Sequence, residues 1–171
     1  MTSSSELAPL LELSNELKRQ ASKSLLTENQ KTAVKQIEDV LASERLVVLS
    51  GPPLSGKTFI GWVLVNQGYD YARWPAEQFS SDQVVVDDAP SDRVDARSCR
   101  AQCGLDNVSR CVYITRHRLS YAETIPQVQL TLNQDEEQSI ITKWVEISES
   151  ITSGDLPSLA SAREHLNNYN K

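Results

Sequence analysis

The run Gly51-Pro52-Pro53-Leu54-Ser55-Gly56-Lys57-Thr58 limits how this chain can fold more than any other stretch, because it joins two segments of different periodicity. Before it stands Leu46-Val47-Val48-Leu49-Ser50, a short continuous apolar run of the kind a strand carries when both its faces are buried. After it, residues 59–67 read as a helix. A strand, a glycine turn and a helix in that order open a β–α unit. The pattern then repeats in outline. Residues 70–73 form a short strand candidate, and Gln83-Val84-Val85-Val86-Asp87 and Cys111-Val112-Tyr113-Ile114-Thr115 read as buried strands. Residues 128–132 supply a last strand candidate. Residues 74–82 connect two of these strands, and the polar segment 90–108 is partly helical. Strands alternating with helices predict a mostly parallel sheet covered on both faces, a three-layer α/β/α domain.

Helical patterns flank this core. Leu7, Leu10, Leu11, Leu13 and Leu17 lie at near-helical spacing within residues 6–22. Thr27 and Gln30 form a capping-box pair that opens a second helix, whose apolar face is Val34, Ile37, Val40 and Leu41. A closing helix is expected over residues 135–148, and Gly154 and Pro157 break the chain before a final short helix and a polar tail. The expected division is an N-terminal helical extension (1–44), a core (45–132) and a reduced C-terminal helical segment (133–171).

The glycine run matches G-x-x-x-x-G-K-T throughout, and each position has a chemical reason. Glycine lets the backbone approach closely, so that successive backbone N–H groups turn toward an anion. The opening of the following helix, Lys57, Thr58 and Phe59, adds its positive end. The binding set is therefore Gly51, Pro52, Pro53, Leu54, Ser55, Gly56, Lys57, Thr58 and Phe59. Lys57 is expected to reach the β- and γ-phosphates and the Thr58 hydroxyl to bind Mg2+. The second half of such a site is an acidic residue ending a neighbouring buried strand. Asp87 is placed there as a metal partner, and Asp88 as the carboxylate that orients an attacking water. Aspartate is one methylene shorter than glutamate, so slow hydrolysis and nucleotide-gated binding without turnover both stay open. Thr115 ends a strand on the same rim and is placed to sense the γ-phosphate. Arg116 or Arg118 serves either as a charge-stabilising finger toward a neighbouring subunit or in structural ion pairs.

Composition narrows the classes. A length of 171 residues suits one well-buried domain. A net charge of −6 disfavours broad adhesion to nucleic acid or anionic membrane, leaving nucleic acid only a local patch or a partner-mediated route. No stretch approaches the roughly 20 apolar residues of a membrane span, and Met1 to Glu6 lack the basic-then-apolar form of a secretory signal. A cytoplasmic location is the default expectation. Cys99, Cys103 and Cys111 read as reduced thiols; Cys99 and Cys103 could share a helix face, but His117 stands alone and zinc normally takes four ligands.

Three resemblances attach to these residues. Gly51 to Thr58 with Val84 to Asp88 resembles the Walker A and Walker B pair of AAA+ and related P-loop ATPases. Val128 to Leu132 followed by Asp135-Glu136-Glu137 is similar to the strand and helix that end an AAA+ core. That likeness implies a P-loop NTPase domain, although only about 40 residues follow Leu132 and a full helical lid is not expected. Leu26-Thr27-Glu28-Asn29-Gln30 is similar to the adenine-reading glutamine motif of helicases, which would put Gln30 on the base; the capping box explains the same residues without a ligand. Arg118-Leu119-Ser120-Tyr121-Ala122-Glu123 is similar to a stretch of the BrxF family, the small P-loop component of type III BREX phage-exclusion systems. That last likeness implies an ATPase working beside larger defence subunits.

The leading expectation is an ATP-binding, ATP-hydrolysing regulatory or motor-accessory subunit acting with protein partners or as a homo-oligomer. A small-molecule kinase is the alternative, with Arg93, Arg97 and Arg100 as a lid, and a nucleotide-gated scaffold is a third reading. ATP is the default nucleotide because no guanine-reading Asn-Lys-x-Asp stretch occurs.

Overall fold

The computed structural model describes residues 14–74, 79–89, 108–116, 118 and 125–151. The leucines at positions 7, 10, 11 and 13, Arg93, Arg97, Arg100, Cys99, Cys103, His117, the stretch 119–124 and the tail from 152 lie outside the described residues.

Residues 14–20 form α1, and a 3-10 turn at Lys23–Leu25 leads into α2 (Glu28–Leu41). The capping box predicted for α2 is present in both halves. The Gln30 backbone N–H donates to Thr27 Oγ1 at 3.3 Å, and the Thr27 N–H donates to Gln30 Oε1 at 3.1 Å. Two donors of the first turn are thereby satisfied. Ala33, Val34, Ile37 and Leu41, which fall on one side of the helix, form the buried face.

β1 (Leu46–Ser50) runs into the glycine loop, and α3 spans Lys57–Val65. α3 begins two residues earlier than its apolar pattern indicates, because Gly56 adopts φ 81° and lets the helix start directly from the loop. β2 (Asp70–Arg73), β3 (Gln83–Ala89), β4 (Arg110–Thr115) and β5 (Gln127–Gln129) follow, then α4 (Gln134–Ile151). β5 is shorter than the expected 128–132. Leu130 still donates to Ser50 O at 2.8 Å, but Asn29 on α2 draws Thr131 away, donating to its carbonyl and its hydroxyl at 3.0 and 3.1 Å. Asn133 then caps α4, its Oδ1 accepting from the Glu136 N–H at 2.8 Å.

The five strands pair entirely in parallel, in the order β2-β3-β4-β1-β5. The strand that ends in Asp87 is therefore not beside the strand that feeds the glycine loop. β4 separates them, with Val48 opposite Tyr113 and Val86 opposite Tyr113 from the other side.

Alternation along the strands makes two apolar layers. Val47, Leu49, Val85, Val112, Ile114 and Val128 share one cluster with α1, α2, α3 and Ile147 of α4. Val48, Val84, Val86, Cys111 and Tyr113 face the other way, with Val108, Ile125, Trp74 and Phe79 packed beside them. Among the described residues the helices thus pack on one face of the sheet. α1 and α2 share a single core with the strands. α3 lies close to the sheet at Gly61, where a Cβ would stand 3.1 Å from Ile114 Cδ1 and 3.3 Å from Val85 Cγ1. Among the described residues no helix is long and apolar enough to cross a membrane.

Candidate functional site

The site lies where β1, β3 and β4 end on one rim of the sheet. Gly51 packs so tightly that a Cβ there would meet Leu130 Cβ and Leu130 O at 3.0 Å. Leu54 at the tip has φ 65° and is 57% exposed, an uncommon conformation for a non-glycine residue. Ser55 closes the turn, with N–H and Oγ–H both directed at Pro52 O. Gly56, as N-cap of α3, offers no side chain to its first turn, and the first intrahelical bond runs from Ile60 N to Gly56 O. The earlier N–H groups of α3 have no acceptor within the helix and leave a positive end at the loop.

Lys57 lies across the loop, its Nζ donating to Gly51 O and Pro52 O at 2.7 Å each, and is 9% exposed. Burial pushes its ammonium below the ordinary value of 10.5; the charge of Asp87 pulls it back up, Arg116 pushes it down, and Asp88 again pulls it up. Arg116 is itself exposed at the end of β4, directly after Thr115, which is 1% exposed. Arg118 is also exposed.

Asp87 is 2% exposed, and three donors hold its carboxylate. Thr58 Oγ1 and the Tyr71 hydroxyl both donate to Oδ2, at 2.8 and 2.7 Å, and the Asp88 N–H donates to Oδ1 at 2.8 Å. The sequence placed Asp87 on a strand neighbouring β1. With β4 in between, the link is made instead by Thr58 on α3, which crosses over the sheet. Tyr71 was not singled out from the sequence. Its signal was faint: a tyrosine within a half-buried strand, whose hydroxyl needs a partner. Alternation puts Tyr71 and Asp87 on the same face as α3, since Tyr71 is in register with Val85 and Arg73 with Asp87. Burial raises the Tyr71 pKa, and the hydrogen bond to Asp87 and its charge add to the rise, so the phenol stays a donor at neutral pH.

Asp88 turns the other way. From Val86 opposite Tyr113 to Ala89 opposite Thr115 the ladder slips, and Asp88 takes φ 58° within this bulge. A bulge re-aims consecutive side chains, and here it buries Asp87 while leaving Asp88 53% exposed, 3.7 Å from Arg73 Nε.

Phe59 sends its ring into the core, edge-on to Trp62 at 6.2 Å, so only its backbone belongs to the loop end. Gln30 makes the capping box and also donates from Nε2 to Ser55 O at 3.1 Å, at 4% exposure. Cys111 is buried within β4. Thr58 and Asp87 are hard oxygen donors, one hydroxyl and one carboxylate, a set that suits magnesium, which takes one or two carboxylates beside phosphates and retained waters. No family model matches this chain, and no curated protein or solved structure matches it.

Proposed function

We propose that this chain is a P-loop protein that binds a magnesium nucleoside triphosphate, with ATP as the nucleotide, on Gly51 to Thr58. The observation that carries the reading is the convergence of an uncapped helix start, the Lys57 ammonium and the Thr58–Asp87 pair on one loop. An anion against α3 would meet unpaired N–H groups and the positive helix end. Lys57 uses two of its three donors on Gly51 and Pro52, leaving the third for a phosphate oxygen. A phosphate charge beside Lys57 would also offset the burial that now lowers its pKa. Thr58 and Asp87 would hold Mg2+, which when bound would neutralise phosphate charge.

Hydrolysis is assigned to Asp88, whose exposed carboxylate on the same rim orients water, with Arg116 as a cation whose charge acts on Lys57. The exposed Arg73 contact favours a second reading, in which Asp88 is held off and nucleotide binding proceeds with little turnover. The wider role we propose is a regulatory or motor-accessory subunit with protein partners or further copies of itself. The AAA+ and BrxF resemblances support that role, the latter suggesting antiphage defence.

Titration calorimetry with MgATP and MgGTP, paired with phosphate-release assays with and without DNA, tests the reading. Lys57→Ala should weaken MgATP binding by more than about tenfold through loss of charge-assisted bonds. Asp88→Ala should keep binding and lose turnover. Unchanged ATP affinity in Lys57→Ala sinks the site, and unchanged turnover in Asp88→Ala removes Asp88 from the mechanism.

A further inference from the structure

We infer that Gln30 is a positioning residue for the phosphate loop, and that Glu136 on α4 is the far end of the same chain of hydrogen bonds. The inference rests on the proposed reading that the loop takes phosphate. Both ends of the Gln30 amide are engaged: Oε1 accepts from the Thr27 N–H at 3.1 Å and Nε2 donates to Ser55 O at 3.1 Å. Gln30 is 4% exposed and Ser55 1%, so water does not substitute for the amide.

The consequence follows from peptide geometry. In a planar trans peptide the carbonyl and the next N–H point in opposite directions. Drawing the Ser55 carbonyl toward Gln30 therefore turns the Gly56 N–H away from α2. Gln30 sets the direction of a loop donor without touching the ligand. The same contact explains Gly56 a second time, beyond its φ of 81°: a Cβ there would lie 2.2 Å from Gln30 Nε2.

The chain continues past Gln30. The Thr27 hydroxyl accepts from the Gln30 N–H and donates to the Glu136 carboxylate, while Asn29 next to Gln30 holds Thr131. The first turn of α4, the N-cap of α2 and the phosphate loop are thus joined through Glu136, Thr27, Gln30 and Ser55. A shift of the loop on phosphate capture is transmitted to α4.

The test uses the full chain and Gln30→Glu. Glutamate keeps an oxygen for the Thr27 N–H, so the capping box can still form, but as a carboxylate it loses the donor to Ser55 O; cooperative unfolding of the variant checks that the fold is kept. In ligand-free protein, amide hydrogen exchange should speed up at residues 54–58 and stay unchanged in the first turn of α2. Affinities for magnesium tripolyphosphate, MgATP and MgGTP should fall together, by about tenfold. Unchanged loop exchange overturns the inference, and so does a loss for ATP with tripolyphosphate unaffected, which would make Gln30 a base reader. A wild type that binds none of the three overturns the nucleotide reading, while loop exchange still decides whether Gln30 braces the loop. Tripolyphosphate should also slow exchange at the start of α4, and Glu136→Ala should confine the slowing to the loop. Slowing in α4 that survives Glu136→Ala overturns the coupling.

Discussion

Three donors hold the Asp87 carboxylate at 2% exposure: Thr58, Tyr71 and the Asp88 N–H. Tyr71→Phe removes one donor from a buried carboxylate, and bonds to charged groups contribute about 1.5–3 kcal/mol. We expect denaturant unfolding to show a loss of that order, with weaker magnesium–nucleotide binding; an unchanged midpoint would show that Tyr71 does not support Asp87. Asp70 makes a different, pH-dependent contribution. The Ser80 N–H and hydroxyl hold its pKa below the ordinary 3.8; burial opposes them, and the Tyr71 and Ser81 N–H groups lower it further. A depressed carboxylate contributes stability above its unfolded pKa and loses it as pH falls through the lower folded one. Wild type should therefore exceed Asp70→Asn by a constant margin from neutrality to about pH 4, with the gap closing below. A margin that persists into stronger acid would assign the effect to something other than ionisation. Among single residues, the loop's glycines, Lys57 and Thr58 were legible because they stand together in one short run of the chain. Tyr71 and Arg73 were not, since their partners lie on another strand.

Among the elements, α3 does the most to assemble the site. Its N-terminus closes the loop, Thr58 reaches β3, and Gly61 lets the helix settle onto Ile114 and Val85. Gly61→Val would drive methyl groups into Ile114, Val85 and the Tyr71 ring, whose Cε2 lies 3.5 Å from the Cβ position. Overpacking of this kind costs about 1–3 kcal/mol. Thermal unfolding should show the loss, and a variant as stable as wild type would mean that α3 can lift without penalty. The capping box at Thr27 and the buried strand β1 were readable from sequence, because capping and continuous apolar runs are local signals. The short β5 was not, because it depends on Asn29 reaching Thr131.

Across the whole molecule, one apolar cluster joins α1 and α2 to β1, β3, β4 and β5. Ile37 is 0% exposed and Val34 1%, so the segment expected as an extension covers the sheet. A chain beginning at residue 45 should fail to show a cooperative unfolding transition, as it would expose Val47, Leu49 and Val128. A sharp transition in that fragment would show that the core closes without α2. The sequence by itself determined the strand–loop–helix unit, the parallel α/β class and the paired aspartates, all of which depend on periodicity and on residues close along the chain. The tertiary structure alone decided that β4 stands between β1 and β3, that Thr58 bridges to Asp87, and that Gln30 backs the loop. Strand order and long-range hydrogen bonds join residues far apart in sequence, and periodicity records which face a residue turns to the core, not which neighbour it will find there.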